Sequence, residues 1–296
     1  MAPGWRLAGY NPPMVDLVPL EPVDYLVIGH LTEDITPAGN VLGGTAAFSA
    51  LTARAFGLRV GILTSVSEHT SLKPLDGIPL FRVPSEHTTT FENVQTPSGR
   101  IQTLHQRAAP ITLTSLPDVW RRTSIVHLGP IAQEVDPAAA DLFSTSLLGL
   151  TPQGWMRTWD DSGRVSACKW ESAESLLPRA GAVVLSREDV GGDEELIESM
   201  AHQTRVLVVT EGVAGSVLYW NGDRRRFRAP RADEVDPVGS GDIFAAAFFI
   251  RLFMTRDPWE AARLATLVAA KSVTRPGLAG IPTPKEIEQC TVEVLR

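Results

Sequence analysis

Tyr25-Leu26-Val27-Ile28-Gly29, an Ala-rich stretch from Thr45 to Phe56, and Val60-Gly61-Ile62-Leu63-Thr64 decide the fold. The two short apolar runs have the pattern of buried strands. The stretch between them has helical spacing and stops at Gly57, a residue suited to end a helix. Strand, helix, strand is a βαβ unit. The same kind of run recurs at Ile125-Val126-His127-Leu128-Gly129, Ala182-Val183-Val184-Leu185 and Val206-Leu207-Val208-Val209-Thr210. Continuous apolar strands alternating with helices predict an α/β fold with a mostly parallel sheet covered on both faces.

Two regions break the rhythm. Residues 80–112 contain Phe81-Arg82-Val83, Thr88-Thr89-Thr90-Phe91 and Gly99-Arg100-Ile101-Gln102-Thr103-Leu104, where polar and apolar residues alternate. This predicts antiparallel strands with polar turns such as Thr96-Pro97-Ser98-Gly99, forming a small lid with Thr90 facing the pocket beneath. Residues 216–235 predict a hairpin turning at Asn221-Gly222-Asp223. Residues 1–22, with five prolines, form an irregular leader.

Composition narrows the function. The 296 residues are 44% hydrophobic and 21% charged, ordinary for a globular protein, and carry a net charge of -7. That charge argues against a nucleic-acid partner but not against a small anion held in one local positive site. No apolar stretch reaches membrane-spanning length, and the N-terminus lacks a signal-peptide pattern, so the expectation is a cytoplasmic protein with no membrane partner. Cys168 and Cys290 are far apart and fit two reduced thiols better than a disulfide. The six histidines show no zinc-ligand spacing, and no G-x-x-x-x-G-K-[ST] phosphate loop is present.

The chemistry concentrates in Asp236-Pro237-Val238-Gly239-Ser240-Gly241-Asp242-Ile243-Phe244, which opens an apolar helix running to about Met254. A Gly-rich turn lets backbone N–H groups converge on an anion, and the helix N-terminus adds partial positive charge. An Asp at that mouth is placed to accept the proton of an attacking hydroxyl. An Asp at a helix start after a Gly turn accounts for the local pattern equally well. Gly43-Gly44 at the start of the Ala-rich helix could admit a ligand close to the backbone, with Asp34 accepting from adjacent hydroxyls. By themselves those three residues read more simply as a tight turn and a solvated carboxylate.

Taken together, Asp-Pro-Val-Gly-Ser-Gly-Asp and the Gly43-Gly44 helix resemble the two signatures of the PfkB (ribokinase-like) carbohydrate kinases, in the family's order and over roughly residues 24–288. The resemblance implies a single ribokinase-like domain over 1–296. It would be a three-layer α/β/α sandwich with a mostly parallel central sheet and a small β-sheet lid from about 31–42 and 80–112. The nucleotide-binding half would cover about 180–288. It implies ATP-dependent phosphorylation of a hydroxyl on a small sugar or polyol by a monomer or homodimer. Asp242 would be the base and Gly239, Ser240 and Gly241 the anion hole. Asp34, Gly43, Gly44, Thr90 and Arg157 would meet the substrate. Val209-Thr210-Glu211-Gly212-Val213-Ala214-Gly215 is similar to the segment lining the nucleotide site, so Thr210, Gly212, Gly215 and Thr266 would contact ATP. Ser186 and Asp189 stand at the Asn and Glu of the N-x-x-E motif, Ser186 beside the nucleotide and Asp189 reaching Mg2+ through water. The family also admits a monovalent cation.

The chain departs from the family pattern at Ser186, Asp189 and Thr266. It also departs at Phe48, where many sugar kinases have Asn, and in a shortened Thr64–His69 segment where a G-x-D-x-x-G block is usual. Gly29-His30-Leu31-Thr32-Glu33-Asp34-Ile35, Leu42–Phe48 and Gln153-Gly154-Trp155-Met156-Arg157 look similar to the myo-inositol kinase branch, which implies myo-inositol as the acceptor. A nucleoside or ring-sugar kinase of the same fold, or a catalytically weak ligand-binding protein, are the alternatives. Arg224-Arg225-Arg226 reads as a solvated edge strand, and Trp155, Trp159 and Trp170 as packing.

Overall fold

The computed structural model describes residues 20–37, 39–96 and 99–292, so nearly all of the expected leader and the turn at Pro97-Ser98 lie outside the described residues. The chain starts with strand β1 (Tyr25–Ile28), leaves for β2 (Thr32–Thr36) and β3 (Gly39–Gly43), and continues as helix α1 (Thr45–Ala55), β4 (Val60–Ser67) and β5 (Leu80–Ser85). Next come β6 (Thr89–Thr96), β7 (Gly99–Gln106), β8 (Ile125–Leu128) and β9 (Leu147–Leu150). A small hairpin of β10 (Arg157–Trp159) and β11 (Val165–Ala167) is followed by α2 (Ala173–Leu176), β12 (Ala182–Ser186), α3 (Glu194–Gln203) and β13 (Val206–Thr210). The chain then runs through β14 (Ser216–Trp220), β15 (Asp223–Phe227), α4 (Ser240–Thr255), α5 (Pro258–Ser272) and α6 (Pro284–Val292).

Nine strands form the main sheet in the order β15-β14-β13-β12-β9-β8-β1-β4-β5. The seven from β13 to β5 pair in parallel, and β14 and β15 add antiparallel at one edge. Side chains alternate faces along a strand. In β1, Tyr25 and Val27 enter one core with α1, α4 and α5, while Leu26 and Ile28 enter the other with Trp120, Ile197 and Met200. Burial on both faces is the reason the strand reads as an unbroken apolar run. The arrangement is the expected three-layer sandwich.

One central strand, β9, was not legible in advance. Its sequence Leu147-Leu148-Gly149-Leu150 is short and broken by a glycine. The glycine is needed because a β-carbon there would lie 2.6 Å from the Phe249 ring of α4. The hairpin at 216–227 turns at Asn221 and Gly222, both with positive φ (51° and 81°), as a tight hairpin requires. Its second strand, β15, carries the exposed arginine run along the sheet edge.

The lid is a separate four-stranded sheet in the order β3-β2-β6-β7. Its second segment begins at Thr89, not at residue 80. Leu80–Ser85 pairs in parallel with β4 and is the edge strand of the main sheet, and residues 107–112 are the return from the lid. An edge strand has one neighbour and one well-covered face, so it alternates much as a lid strand does, and periodicity cannot separate the two. His30 ties lid to body. Its backbone N–H donates to Glu134 (2.8 Å), and its ring nitrogens lie 2.7 Å from Thr89 Oγ1 and 2.9 Å from the Ala109 carbonyl. Among the described residues no helix is long and apolar enough to cross a membrane.

Candidate active site

The turn before α4 is set by two constraints at Gly239. Its φ of 76° is left-handed, and the Phe48 ring of α1 fills the space beside its α-carbon. Phe48 is 2% exposed, so it supports the turn from behind and does not line an open pocket. The first N–H groups of a helix have no intrahelical acceptor. That of Ser240 goes to the Pro237 carbonyl (3.2 Å), which leaves the N–H groups of Gly241 and Asp242 without a helical partner. Nothing lies within 4 Å of where a side chain on Gly241 would begin, so the turn is open at that point.

Asp242 sits half-buried in the first turn of α4. Burial, and then the negative charges of Asp189 and Asp34, push its carboxyl up to about 6, against a hydrogen bond from Thr45 and the positive charge of Arg157. Thr45 Oγ1 donates to Asp242 Oδ1 at 2.6 Å. Four residues from distant parts of the sequence therefore surround one carboxylate. Asp34 comes from β2, and its Oδ2 would be 2.5 Å from a β-carbon on Gly43, so the diglycine leaves room for that carboxylate. Gly44 has φ 85° and lies against the His30 carbonyl, a site only glycine fits. Arg157 opens β10, and its carbonyl accepts from Gln133 Nε2 (2.6 Å).

Thr90 does not join this group. The β2–β6 register pairs Glu33 with Thr90 and Asp34 with Phe91, which puts Thr90 on the strand face opposite Asp34. Its hydroxyl donates to the Thr88 carbonyl (2.9 Å).

Beyond the turn lies a cavity of about 500 Å3 lined by Thr210, Gly212, Gly215, Ser240, Gly241 and Thr266, with apolar walls from Val213, Phe244 and Ala270 among others. Four of the five residues expected at the nucleotide meet there. Ser186, the fifth, ends β12 instead, where its N–H donates to Asp189 Oδ2 (2.8 Å). Thr266 bonds Ser216 (3.1 Å) and the Ala262 carbonyl (2.8 Å), locking α5 to β14. A larger depression of about 870 Å3 around Trp155 and Trp170 lies apart from this cluster, so size alone does not select the site.

Two contributors were given no site role from the sequence. Gln153 Nε2 donates to Asp189 Oδ1 (3.1 Å), which ties the segment carrying Arg157 to the turn after β12. Thr45 was read only as a helix start. Glu211, between the lining residues Thr210 and Gly212, binds Arg187 (3.2 Å) and Arg226, and Arg187 also binds Glu194, whereas Arg231 lines the cavity itself. Among the described residues no three His, Cys, Asp or Glu side chains could together hold a metal. Asp189 and Asp34 nevertheless burden Asp242 with negative charge, a surplus that suits a cation arriving with phosphate oxygens and water.

The model of the pfkB family of carbohydrate kinases matches residues 179–286. An inositol 3-kinase of Oryza sativa subsp. japonica is 27% identical over 91% of this chain and 72% of its own length. An inositol 3-kinase of Zea mays is 33% identical over 63% of this chain, and the match spans about half (48%) of that protein. A pyrophosphate-dependent kinase in the ribokinase family superposes with a TM-score of 0.76 at 20% identity, covering 89% of this chain and 99% of that one. Arabidopsis thaliana ribokinase, solved with ribose and ATP, gives 0.69 at 16% identity over 93% and 100%. The structural neighbours establish the fold, and residues 179–286 and the kinase relatives make the chain similar to the pfkB family of carbohydrate kinases.

Proposed function

We propose that this kinase transfers the γ-phosphoryl group of ATP to a hydroxyl of a cyclic polyol, with myo-inositol the best candidate. The observation that carries the reading is the position of Asp242. Thr45, the residue after the diglycine, bonds its carboxylate, and its neighbours Ser240 and Gly241 line the cavity shared with Thr210, Gly212, Gly215 and Thr266. A base between an acceptor site and a donor site is what direct phosphoryl transfer needs.

In this mechanism Asp34, Gly43, Gly44 and Arg157 hold the acceptor. The hydroxyl O–H bond breaks, and its proton passes to Asp242. The oxygen bonds to the γ-phosphorus as the bond to the β–γ bridging oxygen breaks, and ADP leaves. The free N–H groups at Gly241 and Asp242, with the positive end of α4, stabilise charge on the transferring group. The lid excludes the water that would otherwise take the phosphoryl group. Asp189 would hold Mg2+ through water, positioned by Gln153 and the Ser186 N–H, and the ion when bound would neutralise phosphate charge.

The acceptor reading rests on the two inositol 3-kinase relatives and on a carboxylate able to take two adjacent hydroxyls. The donor reading rests on the apolar part of the cavity wall, Val213, Phe244 and Ala270, which suits a purine. Pyrophosphate is a second donor reading, because a structural neighbour is described as pyrophosphate-dependent. Pyrophosphate needs no apolar slot, and Arg231 on the cavity wall is a cation that either donor could meet. The test is a matrix of donors (ATP, pyrophosphate) against acceptors (inositols, pentoses, hexoses, nucleosides), with phosphorylated product read directly. Fastest turnover of myo-inositol with ATP is expected. Faster turnover of ribose or fructose would defeat the inositol assignment, and no turnover with any pair would favour a binding protein.

A further inference from the structure

Thr45 follows Gly43-Gly44 directly and is the first residue of α1. It is 4% exposed, and its hydroxyl donates to Oδ1 of Asp242. Its methyl group packs against Gly129, where any side chain would collide with it. A β-branched side chain wedged on its methyl side has little rotamer freedom, so the hydroxyl direction is set by packing. One turn later Ser49 Oγ lies 3.5 Å from the Asp242 carbonyl. Helix α1 thus holds Asp242 by side chain and by backbone.

We propose that Thr45 is the positioning residue of the catalytic base: it anchors Oδ1 of Asp242 so that Oδ2 receives the substrate proton, and it ties the aim of the base to the diglycine turn against which the acceptor lies. The inference rests on the reading of Asp242 as base. A free carboxylate rotates about its Cβ–Cγ bond and presents either oxygen. A donor fixed on one oxygen removes that freedom before substrate arrives, which is how a preorganised site saves orientation at the moment of reaction.

The same hydrogen bond favours the ionised form. The charged groups facing Asp242 are Arg157 from β10, which favours ionisation, and Asp189 beyond β12 and Asp34 from β2, which oppose it. Tyr25 from β1 also lies near, and burial holds it neutral. Thr45 is the one uncharged donor in this balance. It resists burial and like charge without adding a cation that would compete for the phosphoryl group.

The test uses two substitutions with opposite chemistry. Thr45→Val keeps the methyl packing and removes the donor, whereas Thr45→Ser keeps the donor and removes the methyl. With Val, kcat should fall roughly 10-fold or more, the scale of a lost hydrogen bond to a charged group. The acid limb of the kcat/KM profile should move to higher pH while the KM for ATP stays put. With Ser, the limb should return to its wild-type position and most of kcat with it. The limb's position does not depend on how much of a variant is folded, so a partly unfolded preparation still reports. Wild-type kcat and pH profile in Thr45→Val would overturn the proposal. So would an equal displacement in both variants, which would make the methyl contact the cause. Asp242→Asn is run alongside: if it is inactive while Thr45→Val is unaltered, only the Thr45 inference fails. If Asp242→Asn turns over normally, the base reading fails and takes the positioning role with it.

Discussion

The ring of Phe48 occupies the space that a side chain on Gly239 would need, which welds helix α1 to the turn that opens α4. Phe48 is buried and its ring lies against the Gly239 backbone. Its effect on the acceptor is therefore indirect, through the shape of the turn.

Gly239→Ala tests that weld. The substitution places a side chain at φ 76° and drives it into the Phe48 ring. Left-handed strain and overpacking should together cost about 2–4 kcal/mol of stability, read by denaturant unfolding. Phosphoryl transfer should be almost abolished even in the folded fraction. A stable, active Gly239→Ala enzyme would show that the turn tolerates another shape.

Asp242→Asn should cut turnover by roughly 10²-fold or more while ATP still binds, the scale of a lost general base. In the wild type, kcat/KM should rise with pH through about 6, because the base must be ionised and its carboxyl is held that high. Stability runs the other way. The folded state binds a proton up to about pH 6 and the unfolded chain only to the ordinary carboxylate value of 3.8, so burying the charge costs stability above 6 and that cost disappears towards pH 4. Asp242→Asn should accordingly be more stable than wild type by roughly 1–3 kcal/mol at pH 8, with the gap closing at pH 4. Melting curves of the two proteins across that range check the sign.

Asp34→Ala leaves acceptor hydroxyls without a charged partner inside a closed site. A hydrogen bond to a charged group contributes about 1.5–3 kcal/mol, so kcat/KM for myo-inositol should fall roughly 10- to 150-fold. The KM for ATP should not change, since the cavity beyond Gly241 lacks Asp34. An unaffected variant would take Asp34 out of the acceptor site.

Ala269 projects from α5 into the donor cavity. Ala269→Trp should fill the space for a purine and raise the KM for ATP by about 10-fold or more, the loss of a few buried contacts at 1.4 kcal/mol per decade. The KM for the polyol should be unchanged. If ATP is unaffected and pyrophosphate serves equally well in both proteins, the nucleotide reading of this cavity is wrong.

What the residues announced in advance were features whose causes are local. A strand buried on both faces must be apolar throughout, so β1, β4, β8, β12 and β13 were visible. A Gly-Ser-Gly-Asp turn ahead of an apolar helix specifies its own geometry, so the place of Asp242 was visible too. The lid was half visible: alternation marked Thr89–Gln106 but also Leu80–Ser85, because a lid strand and a sheet-edge strand obey the same one-sided burial. Long-range partners left no local trace. Thr45 and Asp242 are 197 positions apart, Gln153 and Asp189 are 36 apart, and β9 was hidden by a glycine present only to admit Phe249. Thr90 went astray for the same reason, since the face a strand residue takes depends on the register with its neighbour, and a shift of one residue reverses it. Pattern reports whether a residue is buried, whereas which distant group it meets there is settled by packing, and packing exists only once the chain has folded.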